Sequence, residues 1–185
     1  MHKKIQIITI FFLFLFSVYC ALSIGQSWDE GFHLLQGKIT FDYLSSLGRI
    51  DNDIFYREFY SPIYWSIQYF LTKIFPIKYQ IESSHLINLL FSLATIFGLK
   101  SFSKLLFNEN VSKIAFLVLF FYPVFFGHMG FNSKDTILAF CHVWIFYCVI
   151  KYLKNQKNKY ILNIAFLTAM GSGIQLFFLG SLIPI

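Results

Sequence analysis

Three short stretches of this chain hold residues whose types and spacing could do chemistry. The first is QSWDEGFHLLQGK, Gln26 to Lys38, with adjacent acids Asp29 and Glu30 and a histidine, His33, one helical turn on. Ser27-x-x-Glu30 fits a capping box, in which the serine hydroxyl takes a backbone N–H and Glu30 reaches back. Acids also suit the positive end of a helix dipole. Capping accounts for Glu30 but leaves Asp29 over. A carboxylate close to a reacting proton in a partly dry site is a general base, and Asp29 has the right type for it. His33 follows Asp29 by four residues and Glu30 by three, so it can share a helix face with either. A carboxylate and an imidazole, such as Glu30 and His33, could hold a divalent metal ion. The plainer use of His33 is a hydrogen bond at the membrane surface.

The second stretch is FFGHMGFNSKDTILAF, Phe125 to Phe140. Its polar centre, Asn132 to Asp135, interrupts two apolar runs. Asn, Ser and Asp are turn and cap formers, so a turn followed by a helix start explains the composition. The functional alternative makes Lys134 a phosphate-binding cation and Asp135 a second carboxylate, with His128 near enough to join them. An acid at the bilayer centre costs roughly 2.5–3.5 kcal/mol, so Asp135 belongs at the water line. The third stretch is YREFYSPIYW, Tyr56 to Trp65. Arg57 either pairs with Glu58 on the surface, which is worth little, or reads a phosphate with its fork of donors.

The elements that must position these residues are membrane helices. The 185 residues are 57% hydrophobic and 21% aromatic, with only 13% charged and 25 phenylalanines. A soluble domain of this size cannot hide so much apolar area. Long apolar runs separated by short lysine clusters read as an all-α, polytopic transmembrane protein. The net charge of +6 sits in those clusters and is a topology signal, not a nucleic-acid footprint. Cys20, Cys141 and Cys148 lie inside apolar runs with no metal-ligand spacing. The opening MHKKIQIITIFFLFLFSVYCALSIG has a signal-peptide look, but its run of about 20 apolar residues is long enough to span.

Five runs reach spanning length, over 5–25, 84–103, 112–131, 136–153 and 160–182. A sixth, 61–75, opens at Pro62, carries Lys73 and stops at Pro76. Charge decides its role. With the N-terminus cytoplasmic and 61–75 not spanning, Lys100, Lys104, Lys113, Lys151, Lys154, Lys157 and Lys159 all fall inside; if it spans, all fall outside. The positive-inside rule favours five spans. Segment 61–75 is then an interfacial helix, with Tyr64, Trp65 and Tyr69 at headgroup level. The expected organisation is one transmembrane region: a first span over 1–25, an external loop with interfacial helices over 26–83, and four further spans over 84–185. Asp29, Glu30 and Asp135 then share the external face.

The order of these features resembles the N-terminal part of the GT-C glycosyltransferases, in particular the protein O-mannosyltransferase and aminoarabinose-transferase-like group. The carrying features are a first span followed at once by WDEGFHLLQGK, the proline-opened aromatic segment YSPIYWSIQYFLTKIF, and a span ending in a basic loop, SHLINLLFSLATIFGLKSFSKLLF. A proline-containing span leading to an acid, FLVLFFYPVFFGHMGFNSKDTILAF, completes the series. Ser61 stands where relatives often carry His, Pro or Lys. The resemblance implies sugar transfer from a polyprenyl-phosphate donor to an acceptor hydroxyl at the external face, with inversion and no covalent enzyme intermediate. It implies Asp29 as catalytic base, Glu30 as its neighbour and Asp135 as second acid, with Arg57, Lys134 and His128 on the substrate and the bilayer and lipid donor as partners. It also implies a multi-pass location in a plasma- or endoplasmic-reticulum-type membrane. The chain reads as the front of such an enzyme, truncated after GSLIPI. The competing readings are a transporter or channel subunit, which would place acids near the bilayer midplane, and an inactive remnant.

Overall fold

The computed structural model describes residues 2–49 and 62–183, and every regular element among them is helical. Nine α-helices follow in order: α1 His2–Ser23, α2 Glu30–Ser45, α3 Ile63–Thr72, α4 Gln80–Leu106, α5 Glu109–Phe121, α6 Pro123–His128, α7 Asp135–Asn155, α8 Asn158–Ser172 and α9 Phe178–Ser181. A 3-10 turn, Ile77–Tyr79, leads into α4. Among the described residues three segments are long and apolar enough to cross a membrane: Lys4–Ser23, Ile77–Leu106 and Asp135–Asn155. The chain is an all-α membrane protein.

Two of the expected single spans are each realised as two shorter helices. The run over 112–131 breaks at Tyr122, whose ψ of 113° is extended, because a residue before proline avoids the helical region and Pro123 cannot continue the ladder. Pro123 instead opens α6. The run over 160–182 breaks after Gly173 into the short α9. Helix α5, with 13 residues, spans only about 20 Å, against a hydrocarbon core of about 30 Å.

Helix ends follow local chemistry. The Asn108 side chain caps α5, accepting from the N–H groups of Asn110 and Val111 at 3.0 Å each. At the end of α2, Leu47 and Gly48 both have positive φ, 54° and 79°. The Gly48 N–H bonds the Tyr43 carbonyl at 2.9 Å, a six-residue closure that satisfies an orphan carbonyl.

Helix α4 is the hub, packed by α1, α3, α5 and α7. A Cβ at Gly98 would meet Val143 Cγ1 at 2.9 Å, so glycine there permits the close crossing of α4 and α7. One apolar core joins Tyr64 and Trp65 of α3 to Ile137, Cys141 and Ile145 of α7 and to Leu167 and Met170 of α8. A second joins Ala21 of α1 to Leu89 and Ile96 of α4 and Phe116 and Phe120 of α5. Helix α3 has ten residues, too few to span, in keeping with the sequence reading. Tyr64 and Trp65 are 1% and 2% exposed, covered by α2 and α4 and by the core residues of α7 and α8, while Tyr69 stays partly exposed.

Between the two cores runs a polar seam. Tyr64 Oη donates to Asn88 Oδ1 at 3.4 Å, and Asn88 Nδ2 donates to the Met129 carbonyl at 3.1 Å and to Thr136 Oγ1 at 3.2 Å. The Thr136 hydroxyl in turn donates to the Asn132 carbonyl. Burial pushes the Tyr64 phenol well above its ordinary value, so it stays a donor.

The bundle has two chemically distinct ends. The first half of α1 borders Lys100 and Lys113, and Lys154 Nζ donates to the Leu105 carbonyl at 3.2 Å. Both lysine clusters therefore lie beside the start of α1. Ala21, near the other end of α1, meets His85 at the start of α4, and Ser133 meets Trp65 just before α7. Cysteines introduced at 106 and 134 should accordingly react with a membrane-impermeant thiol reagent from opposite sides; labelling of both from one side would contradict this arrangement. Asn88→Ala orphans the buried Tyr64 hydroxyl and should cost about 1–3 kcal/mol, measured as a lower unfolding midpoint in detergent.

Candidate functional site

The stretch 26–38 forms the entry to α2. Glu30 is the first residue of the helix and is buried, 4% exposed. Its Oε2 accepts the Ser27 N–H at 2.5 Å, the backward reach that the capping box predicts. The Ser27 hydroxyl does not cap a backbone group; it donates to Asp29 Oδ1 at 3.1 Å. The other Glu30 oxygen, Oε1, lies 2.6 Å from His85 Nε2. His85 is fully buried, and its Nδ1 lies 2.9 Å from the Ala21 carbonyl. A carbonyl can only accept, so Nδ1 carries a hydrogen. One further proton then lies between Nε2 and Glu30, and either placement leaves both groups hydrogen-bonded.

Asp29 has the opposite environment. Its side chain is 59% exposed, and His33 Nε2 lies 3.9 Å from it. The His33 ring stacks on Trp65, with centroids 4.0 Å apart and planes 15° apart. Its Nδ1 lies 3.4 Å from Ser133 Oγ, which also accepts Trp65 Nε1–H at 3.0 Å. With that donor in place, the Ser133 hydroxyl can give its own hydrogen to His33 Nδ1, which leaves the Nε2–H on the Asp29 side. His33 thus joins the first motif to the second across 100 residues of sequence. Gly37 makes this approach possible: a Cβ there would stand 2.3 Å from the Trp65 carbonyl oxygen.

The second motif is organised by Asn132. Its Oδ1 accepts the N–H groups of Lys134 and Asp135 at 3.2 and 2.9 Å, so the turn-and-cap reading of this stretch is realised. Its Nδ2 lies 3.0 Å from Asp135 Oδ2 and 2.9 Å from His128 Nδ1. Asp135 remains exposed. The break at Pro123 leaves a cleft of about 240 Å³ beside it, with apolar walls from Leu119, Val124 and Phe125 and a polar end of His128, Asn132 and Asp135. Arg57, the expected phosphate reader, lies outside the described residues.

Two sequence expectations need correction. The Glu30 and His33 pair does not assemble as a metal site: Glu30 turns to α4 and fills both oxygens, while His33 turns to Trp65 and Ser133. Among the described residues no group of three or more His, Cys, Asp or Glu side chains is placed to hold a metal ion. The donors present do not fit one. The second correction concerns His85, which sequence reasoning missed. Its signal was present: an ionisable side chain in the apolar run SSHLINLLFSLATIFG, a type of position that needs a partner.

Burial holds the His33 imidazole below its ordinary 6.5, against the opposing charges of Asp29 and Glu30 and with help from Lys134. A histidine whose folded pKa is depressed favours the neutral form. Its contribution to stability is complete above pH 6.5 and is lost as pH falls below it, because the unfolded chain takes up the proton first. Acid melting in detergent should therefore begin below pH 6.5, and His33→Gln should flatten that part of the profile. An unchanged slope would remove His33 as its source.

A family model described as dolichyl-phosphate-mannose-protein mannosyltransferase matches residues 61–179, more than half of the chain. The match takes in α3 to α8 and the Asn132–Asp135 motif, and begins after the Asp29–His33 stretch. Comparison with curated proteins and with solved structures gives no match. On the extent of the family match and the membrane-helical fold, this chain belongs to the dolichyl-phosphate-mannose-protein mannosyltransferase family.

Proposed function

We propose that the chain serves a membrane glycosyltransferase that moves a sugar from a polyprenyl-phosphate donor to an acceptor hydroxyl. The family description names the donor class, a polyprenyl-phosphate mannose, and a protein acceptor. The observation that carries the proposal is the His33–Ser133 contact. It draws an exposed carboxylate, a cation and a second acid to one end of the bundle, opposite the lysine clusters. By the positive-inside rule the lysine end is cytoplasmic and this end external.

The physical demands of the reaction match that placement. A lipid donor keeps its tail in the bilayer and its phosphate at the water line. The cleft beside the Pro123 break has apolar walls and a polar rim, which suits such a divided molecule. Bond breaking leaves positive charge at the sugar C1 and negative charge on the departing phosphate. Asp29, exposed and beside His33, is the group best placed to take the proton of an attacking hydroxyl. Lys134 lies within electrostatic reach of His33 and would steady the phosphate, the role the sequence also gives to Arg57. Asp135, with Asn132 and His128 around it, would orient hydroxyls of the sugar or acceptor. Glu30 has neither oxygen to spare for substrate and acts by holding the entry to α2.

The test is mannose transfer in membranes from a synthetic polyprenyl-phosphate mannose to a hydroxyl-bearing peptide. Asp29→Asn should lower kcat by about 10²–10⁴, the usual worth of a general base, and Asp135→Asn should raise KM. If both variants match the parent chain, the proposed roles are wrong.

A further inference from the structure

We infer that His85 is a positioning residue for Asp29, acting through Glu30; this rests on the proposed role of Asp29. The chain of contacts is short and directional. The Ala21 carbonyl, in the last turn of α1, fixes the His85 ring through Nδ1 at 2.9 Å. The ring presents Nε2 to Glu30 Oε1 at 2.6 Å. Glu30 Oε2 then holds the Ser27 N–H at 2.5 Å, and the Ser27 hydroxyl holds Asp29 Oδ1 at 3.1 Å. The buried members of the series, His85 and Glu30, cannot turn to water. The outermost member is the exposed carboxylate.

The arrangement solves a particular problem. An exposed aspartate at the start of a helix has several rotamers and a flexible approach from Gly25, whose surroundings are open. A catalytic carboxylate needs one geometry, and a displacement of about 1 Å can cost a hundredfold in rate. Anchoring the adjacent residue in the dry interior fixes the backbone of Asp29 without covering its side chain. His85 never reaches the acceptor, so its effect should fall on kcat and leave KM unchanged.

The experiment compares His85→Gln, Asp29→Asn and the double variant, with the full chain in proteoliposomes, the same synthetic donor and the same peptide. His85→Gln should lower kcat by about a hundredfold with KM unchanged. The double variant should be no worse than Asp29→Asn alone, because His85 acts only through Asp29. Additive losses, or a loss confined to KM, would overturn the inference. A second readout needs no activity: a spin label at Trp28→Cys, with Cys20, Cys141 and Cys148 replaced by Ala. Its mobility should rise in His85→Gln and also in Glu30→Gln. Unchanged mobility in both would overturn the inference as well. An active Asp29→Asn variant would instead sink the proposed role of Asp29, whatever the label reports.

Discussion

The structure depends on the burial of one carboxylate. Glu30 is buried in the interior of the bundle, where an unpaired charge costs several kcal/mol. It is tolerated because His85 and the Ser27 N–H together occupy both oxygens, and because His85 is itself held by Ala21. These contacts tie the end of α1, the start of α2 and the start of α4 at one point. The path of the chain from α1 into α2 is set as a result. The conserved quantity here is satisfaction of polar atoms, since a buried pair need not add net stability to be costly to break.

Trp65 is the second such point. Its indole N–H meets Ser133, its ring stacks on His33, and its carbonyl abuts Gly37. One side chain of a ten-residue helix thereby fixes α2 against the start of α7. The polar seam through Asn88 does the same one layer deeper, linking α3, α4 and the segment before α7. Together these contacts hold two acid-bearing motifs at one end of the bundle, while Lys100, Lys113 and Lys154 lie at the other.

Much of this was legible in the residues themselves. The class follows from composition, and the lysine clusters predicted which helix ends lie together. The capping box predicted that Glu30 would reach back to Ser27, and it does. The turn before α7 was also visible, in the asparagine that precedes Asp135 by three residues. The breaks at Tyr122 and after Gly173 were less so. An apolar run reads as continuous by hydropathy, and although Pro123 marks a possible stop, neighbouring helices decide whether a proline kinks a membrane helix or ends it. The burial of Tyr64 and Trp65 was hard to read for a related reason: an interfacial belt and a buried core draw on the same side chains.

The sequence alone determined the membrane class, the helical content, the segregation of charge and the local caps, because each depends on composition or on residues a turn apart. Tertiary structure decided which acid is buried and which is exposed. Asp29 and Glu30 are adjacent and chemically alike, and the capping box says which one reaches back to Ser27 but not which one is buried. A histidine 55 residues away from Glu30 and a serine 100 residues away from His33 make the distinction. Helix packing brings those partners in, and the low polarity of the interior obliges the first carboxylate they can satisfy to take them, leaving its neighbour free to face the water.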